Sequence, residues 1–309
     1  MTTIPILIKD SLSEVKRRLA SLYTADIETA SQILSYLSES EGKLIRPTLV
    51  LLASYEKQQE AIDLASAVEL IHIASLLHDD VIDEADIRRG KEAINARWGE
   101  KWAVLVGDFL LSTAFNIILK EKDWRIFEIF TRASLIMTEG EMAELEAKNS
   151  LIIDEAHYLS IIYRKTASLF ASSGRVGAII SGNPEEPFSC YGKNLGFAFQ
   201  ITDDLLDISS ENPTKSIGQD IKNGRLTLPL IHSLREAGLG EKKRILELIK
   251  TNNFSELKRI VEKYGGIEYS RQLAEEYIEE AKSCLKTLGS SPYKDSLFNL
   301  ADSVRIRVN

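Results

Sequence analysis

Cysteine is close to absent. The 309 residues hold two, Cys190 and Cys284, too few for a disulfide framework and too far apart for a zinc motif, so a reducing cytoplasm is the expected compartment. Proline (7) and glycine (17) are scarce, which argues against a loop-rich all-β fold. Positive charge is in deficit: Lys and Arg number 38 against 46 Asp and Glu, a formal net charge of −8. No nucleic-acid partner is expected, because neutralising phosphates takes clustered Lys and Arg. Long apolar runs are missing too. The nearest approach to the ~20 residues of a membrane span is 103–119, which Gly107, Asp108, Ser112 and Asn116 interrupt, so no span is expected. Met1 to Ile8 has no basic segment ahead of its short apolar run, unlike a signal peptide. There is no Gly-rich nucleotide loop, Gly-x-Ser-x-Gly elbow or His-Glu-x-x-His pair, and the chemistries those motifs serve lose their support.

What the chain does have is helical periodicity. Apolar residues recur at spacings of three and four over 46–57, 60–83, 102–119, 124–147, 155–181, 188–208, 226–235, 242–250 and 266–287, the signature of helices facing a core. With 44% hydrophobic and 27% charged residues, the balance is that of an ordinary globular protein. The breaks are short and no linker divides the chain, so the expected fold class is all-α, in one domain over 1–309. The longest polar connection, 209–224, holds Pro213, Gly218 and Gly224. Connections of that length are usually functional or mobile.

One pattern repeats. Ala74-Ser-Leu-Leu-His-Asp-Asp-Val-Ile-Asp83 is echoed by Ala198-Phe-Gln-Ile-Thr-Asp-Asp-Leu-Leu-Asp207. Each is an apolar segment ending in Asp-Asp-x-x-Asp, a pattern that 16 Asp in 309 residues would produce by chance about 0.04 times per chain. On a helix, Asp79, Asp80 and Asp83 lie at about 0°, 100° and 40°, within one arc. Asp203, Asp204 and Asp207 repeat the arc, with Gln200 inside it. Three carboxylates on one face beside a core repel one another and lose solvation. A hard divalent cation offsets both costs, and oxygen donors without nearby Cys select Mg²⁺, with Mn²⁺ also suited. Mg²⁺ takes one or two carboxylates together with substrate phosphate oxygens. The paired clusters therefore point to a phosphorylated substrate clamped by several metal ions.

Such a substrate also needs fixed cations. Lys43 and Arg46 would stand about 60° apart on a helix starting there, where free backbone N–H groups attract anions. Arg88 and Arg89 follow the first cluster closely, and Arg makes the bidentate phosphate contacts that Lys cannot. Lys165 and Thr166 interrupt the apolar helix 155–181. Lys215, Lys222 and Arg225 lie in the connection after the second cluster, where a closing lid would be useful. His72 falls within about 20° of the Asp79 face, which favours phosphate binding. His78 points elsewhere, His157 and His232 read as structural, and Trp98, Trp102 and Trp124 read as packing.

Together these residues resemble the trans-isoprenyl diphosphate synthase (polyprenyl synthetase) family, from about Gly42 to Pro229. Leu77-His-Asp-Asp-Val-Ile-Asp83 with Arg88-Arg89-Gly90 resembles its first Asp-rich motif, and Phe199-Gln-Ile-Thr-Asp-Asp-Leu-Leu-Asp207 its second. Gly42-Lys-Leu-Ile-Arg-Pro47 is similar to Gly-Lys-Arg-x-Arg-Pro, with Leu44 for the middle Arg. Gly224-Arg-Leu-Thr-Leu-Pro229 is similar to Gly-Lys-x-Thr-x-Pro, with Arg225 for Lys. The resemblance implies a bundle of mostly antiparallel helices around a deep central cavity, as a homodimer or beside a small regulatory subunit. It implies an allylic diphosphate held through three Mg²⁺ ions by Asp79, Asp83 and Asp203, with Asp207 as a further metal ligand. Asp80, Asp204 and Lys165 join the catalytic set, while Arg88, Thr166, Gln200 and Lys215 assist. Isopentenyl diphosphate would be held by Lys43, Arg46, His72 and Arg89, with Arg225.

The same resemblance places Ala74, Ser75 and Ile71 along the product tail. Ala74 and Ser75 stand where a bulky aromatic stops the tail early in this family; both are small, and Ile71 is a candidate deeper floor. The stretch is most like the hexaprenyl, heptaprenyl and octaprenyl synthases, giving C30–C40 products. The alternatives are a C20 geranylgeranyl synthase, the catalytic subunit of a two-component enzyme, and a non-catalytic prenyl-diphosphate-binding regulatory subunit. A class I terpene cyclase would need neither the second Asp-Asp-x-x-Asp nor the second set of diphosphate cations.

Overall fold

The computed structural model describes residues 6–39, 42–150, 154–209, 224–251 and 253–305. Helices account for nearly all of them: α1 (Lys9–Leu22), α2 (Glu28–Ser38), α3 (Ile45–Ala53), α4 (Gln58–Ile82), α5 (Ile94–Trp98), α6 (Glu100–Lys120), α7 (Trp124–Ser150), α8 (Glu155–Ile162), a π turn (Tyr163–Ala167), α9 (Ser168–Ser181), α10 (Glu185–Ser209), α11 (Leu228–Glu236), α12 (Leu239–Lys250), α13 (Phe254–Lys263), α14 (Gly266–Cys284) and α15 (Pro292–Arg305). Among the described residues the strands are β1 (Ile87–Arg88) and β2 (Lys91–Glu92), so the fold is all-α as expected. Periodicity did not mark α1, α2, α13 or α15. Each buries only a narrow apolar stripe, such as Ile33 and Leu34 in α2 or Leu257, Ile260 and Val261 in α13.

The chain forms two compact units interleaved in sequence. The first comprises Met1–Leu135, Leu169–Ser189 and Leu288–Leu297, the second Ile136–Ser168, Cys190–Thr287 and Phe298–Asn309. In the first, α4 packs against α1, α3, α5 and α6. α3 is apolar on nearly every side and all nine of its residues are buried, as such a helix requires. α4 buries Ala61, Leu64, Val68, Ile71 and Ala74, spaced by threes and fours. It stops at Asp83, after which Glu84 turns to φ 50°. By length and composition alone, residues 55–82 and 100–120 are apolar enough to cross a membrane, a test that a core helix also passes; 67% of the first apolar window and 39% of the second is buried. Trp98 meets Tyr36 edge-on at 5.1 Å, and Trp124, though 72% exposed, packs edge-on against Phe127 at 5.8 Å.

In the second unit, α11 lies against α8, α13 and α14, and Ile162, Ile201, Leu205, Leu230, Val261 and Ala274 share its core. Asp154 caps α8 by accepting the His157 N–H at 2.7 Å, an N-cap that satisfies an orphan donor. Cys190 of α10 and Cys284 of α14 form a disulfide, Cα atoms 5.8 Å apart. Counting cysteines excluded a framework but not a single crosslink, which depends on what the fold brings within reach, so the reducing compartment inferred from that count loses its support.

Candidate active site

In the first unit, α4 delivers the first Asp cluster on its last turn. Asp79 and Asp83 are partly buried. Asp80 is 3% exposed and accepts Arg88 Nε at 2.7 Å and also Arg88 Nη2. Burial pushes the Asp80 carboxyl above its usual range, against the pull of Arg88. Asn95 fixes the backbone there by donating to the carbonyls of Asp80 at 3.1 Å and Ala85 at 2.9 Å. The break that follows is a hairpin in which Ile87 pairs with Glu92 and Arg88 with Lys91. Its two turn residues, Arg89 at φ 52° and Gly90 at φ 76°, are both left-handed, the geometry that matches strand twist. The hairpin returns Arg88 to Asp80.

Arg46, in the first turn of α3, is 8% exposed and lies over the Phe170 ring at 4.6 Å. Burial lowers its pKa to about 10, with Glu69 opposing the fall and Arg89 adding to it. His72 is held well below the usual histidine pKa by burial and then by Arg46, Arg89 and Arg88. A neutral imidazole offers a hydrogen-bond donor rather than a charge. Lys43 is not helical: residues 42–44 precede α3, and Leu44 at its N-cap is left-handed at φ 48°. The expected helical spacing of Lys43 and Arg46 therefore fails. Ala74 and Ile71 are buried, and the Ser75 hydroxyl donates to the His72 carbonyl at 2.8 Å.

In the second unit the motif on α10 follows the same rule. Asp203 is exposed and Asp207 partly buried, while Asp204 between them is 4% exposed. The Tyr158 hydroxyl donates to Asp204 Oδ2 at 2.6 Å and the Gln200 amide to Oδ1 at 2.9 Å. Thr166 in turn donates to Gln200 Oε1 at 2.8 Å. In both motifs the middle aspartate is anchored in protein and the outer pair is less buried.

Lys165 and Thr166 sit in the π turn, an insertion that shifts helical register and often marks a functional site. Lys165 Nζ lies 2.5 Å from Glu141 Oε2 and 3.0 Å from Glu144 Oε2, and Arg225 Nε lies 2.6 Å from Glu144 Oε1. Gly140 allows this approach, because a Cβ there would meet Arg164 Cβ at 2.7 Å and Lys165 Cγ at 2.9 Å. Burial raises the Glu144 carboxyl, but Lys165 and Arg225 outweigh it and hold it below its ordinary range. Sequence reasoning missed Tyr158, Asn95, Glu141 and Glu144. The last two were legible as an acidic pair one turn apart; no pattern marks the others. Lys215 and Lys222 lie outside the described residues.

Among the described residues, no group of three His, Cys, Asp or Glu could hold a metal ion unaided. Each motif offers instead two less buried carboxylates four residues apart. That donor set suits Mg²⁺, which keeps waters and completes its shell with phosphate oxygens.

The family model described as polyprenyl synthetase matches residues 27–264. Octaprenyl diphosphate synthase from Haemophilus influenzae is 34% identical over 302 residues, 94% of this chain and 92% of its own. Short chain isoprenyl diphosphate synthase from Methanothermobacter thermautotrophicus is 33% identical over 319 residues, 98% of each chain. A solved polyprenyl synthase from Caulobacter crescentus CB15, complexed with calcium and isoprenyl diphosphate, is similar at a TM-score of 0.90 and 32% identity, covering 97% of this chain and 95% of that one.

Proposed function

The chain belongs to the polyprenyl synthetase family and is a trans-prenyltransferase, and we propose that it extends an allylic diphosphate with isopentenyl diphosphate to a C30–C40 polyprenyl diphosphate. The repeated Asp-Asp-x-x-Asp carries this reading: each copy has an anchored, buried middle carboxylate and two less buried ones. Asp79 and Asp83 in the first unit, and Asp203 and Asp207 in the second, are the carboxylates for Mg²⁺, and Mn²⁺ suits the same oxygens. Bound Mg²⁺ supplies the charge that lets diphosphate leave the allylic carbon.

The side chains do the rest. Asp80, through Arg88, and Asp204, through Tyr158, steady the turns that carry the outer carboxylates. Lys165, Thr166, Gln200 and Arg88 orient the allylic diphosphate, with Lys215 assisting. Lys43, Arg46, His72 and Arg89, with Arg225, receive the diphosphate of isopentenyl diphosphate, where His72 donates a hydrogen bond. Exclusion of water protects the allylic cation until the double bond attacks it. The proton then lost goes to the departed diphosphate.

Small side chains at Ala74 and Ser75, with Ile71 further back, support a tail longer than farnesyl. Likeness to an octaprenyl diphosphate synthase favours C30–C40, and likeness to a short chain synthase supports C20 as the second reading. A homodimer is proposed through the α6 face that exposes Val104, Leu105 and Phe109, with a small regulatory subunit as the other occupant. The family match spans residues of both units, which supports one functional domain. Pyrophosphate release from farnesyl diphosphate plus isopentenyl diphosphate tests the reaction. Release that needs both substrates and Mg²⁺ is expected; binding of both without release would make the chain a non-catalytic subunit.

A further inference from the structure

We propose that Glu69 is a positioning residue, the internal counter-charge that holds Arg46 and Arg89 in place to receive the diphosphate of isopentenyl diphosphate. This rests on the reading above that Lys43, Arg46, His72 and Arg89 bind that group.

Glu69 lies on α4 ten residues before Asp79 and three before His72, which puts it within the arc of the Asp cluster. It is 3% exposed, where an ionised carboxylate without compensation is costly. Compensation comes from two sides. Burial raises the Glu69 carboxyl, while Arg46 and then Arg89 draw it back down. Glu69 in turn opposes the burial-driven fall at Arg46. Arg46 Nε is buried without a hydrogen-bond partner, so the guanidinium is steadied by the Phe170 ring beneath it and by charge. Gly42 presses on the same point: a Cβ there would lie 3.0 Å from Glu69 Oε1 and 3.3 Å from Arg89 Nη1. The loop carrying Lys43, the buried carboxylate and the hairpin-tip arginine therefore meet. The Tyr23 phenol, raised by burial and by Glu69, stays neutral beside them. One carboxylate against two guanidiniums leaves net positive charge, which an incoming diphosphate can use. Without Glu69 the arginines repel each other, and Arg46 becomes an uncompensated buried charge.

The test is steady-state kinetics of Glu69→Gln and Glu69→Asp with farnesyl diphosphate and isopentenyl diphosphate. In Glu69→Gln the KM for isopentenyl diphosphate should rise about tenfold, with kcat and the KM for farnesyl diphosphate little changed. Glu69→Asp keeps the charge and should recover most of the loss. An unchanged or lowered KM for isopentenyl diphosphate overturns the proposal, as does an equal loss across both substrates or an Asp variant as impaired as the Gln one. Should Glu69→Gln not fold, Gly42→Ala displaces the same carboxylate and guanidinium and must raise that KM alone; no change overturns the proposal. A wild-type chain that consumes no isopentenyl diphosphate refutes the functional reading and this proposal together. Wild-type turnover with unmoved variants refutes only this proposal.

Discussion

Tyr158→Phe removes one oxygen and leaves the ring in the core of the second unit. In the native chain that hydroxyl donates to Asp204 Oδ2 at 2.6 Å, while Gln200 holds Oδ1 at 2.9 Å. Asp204 is 4% exposed, so water cannot readily replace the lost donor. The Gln200 bond remains, and the loss is one hydrogen bond to a buried carboxylate, about 1.5–3 kcal/mol. In a chain of this length that lowers Tm by about 2–5 °C. The functional effect follows from position. Asp204 shares its helical turn with Asp203 and Asp207, and removing a group that supports a metal ligand typically costs 10–100-fold in metal affinity or activity. The Mg²⁺ concentration for half-maximal turnover should therefore rise about tenfold, with the KM for isopentenyl diphosphate unchanged. Thermal unfolding and a Mg²⁺ titration of initial rate measure the two effects. A lowered Tm with an unmoved Mg²⁺ titration would refute the claim that the middle aspartate acts through the outer pair.

Three further outcomes are expected. Lys165 and Arg225 hold the Glu144 carboxyl below its ordinary range despite burial, so its contribution is present above the unfolded pKa and lost as pH falls through the lowered folded value. Glu144→Gln should cost about 2 kcal/mol near pH 7, with the gap to wild type closing in acid; a gap independent of pH contradicts this. Ala74→Tyr, at a position 1% exposed, should shorten the product to about C15, read by mass spectrometry, and an unchanged distribution removes α4 as the tail path. Replacing both Cys190 and Cys284 by Ser opens a crosslink between residues 94 apart and should lower stability by up to about 4.5 kcal/mol with kcat retained; an unshifted Tm would show that the crosslink contributes nothing.

The broad helices and both Asp motifs were legible because their signals are local. Apolar spacing marks α4, α6 and α10, and the i, i+1, i+4 pattern places three aspartates on one arc. Spacing could not say which aspartate turns inward. Asp80 and Asp204 sit at the far edge of the arc, and their anchors, Arg88 and Tyr158, come from other segments. The Lys43–Arg46 geometry failed for a backbone reason, since a left-handed Leu44 breaks the helix that the spacing assumed. Lys165 was visible as a cation in an apolar helix, but its partners Glu141 and Glu144 depend on how α7 packs at Gly140. Glu69 was within reach of the helical arithmetic that found His72, yet a lone Glu among apolar neighbours carries no signal until its burial is known. Helix α2 shows too few apolar residues for periodicity to separate it from a polar loop, whereas α13 carries Phe254, Leu257, Ile260 and Val261 on one face and was legible but overlooked.

Product mass tests the central claim most directly. The purified chain alone, with Mg²⁺, farnesyl diphosphate and excess isopentenyl diphosphate, should yield a C30–C40 polyprenyl diphosphate. A product that stops at C20 would place a floor near Ile71 and contradict the long-chain reading. No condensation product, with both substrates still bound, would contradict the account of the chain as a self-sufficient synthase.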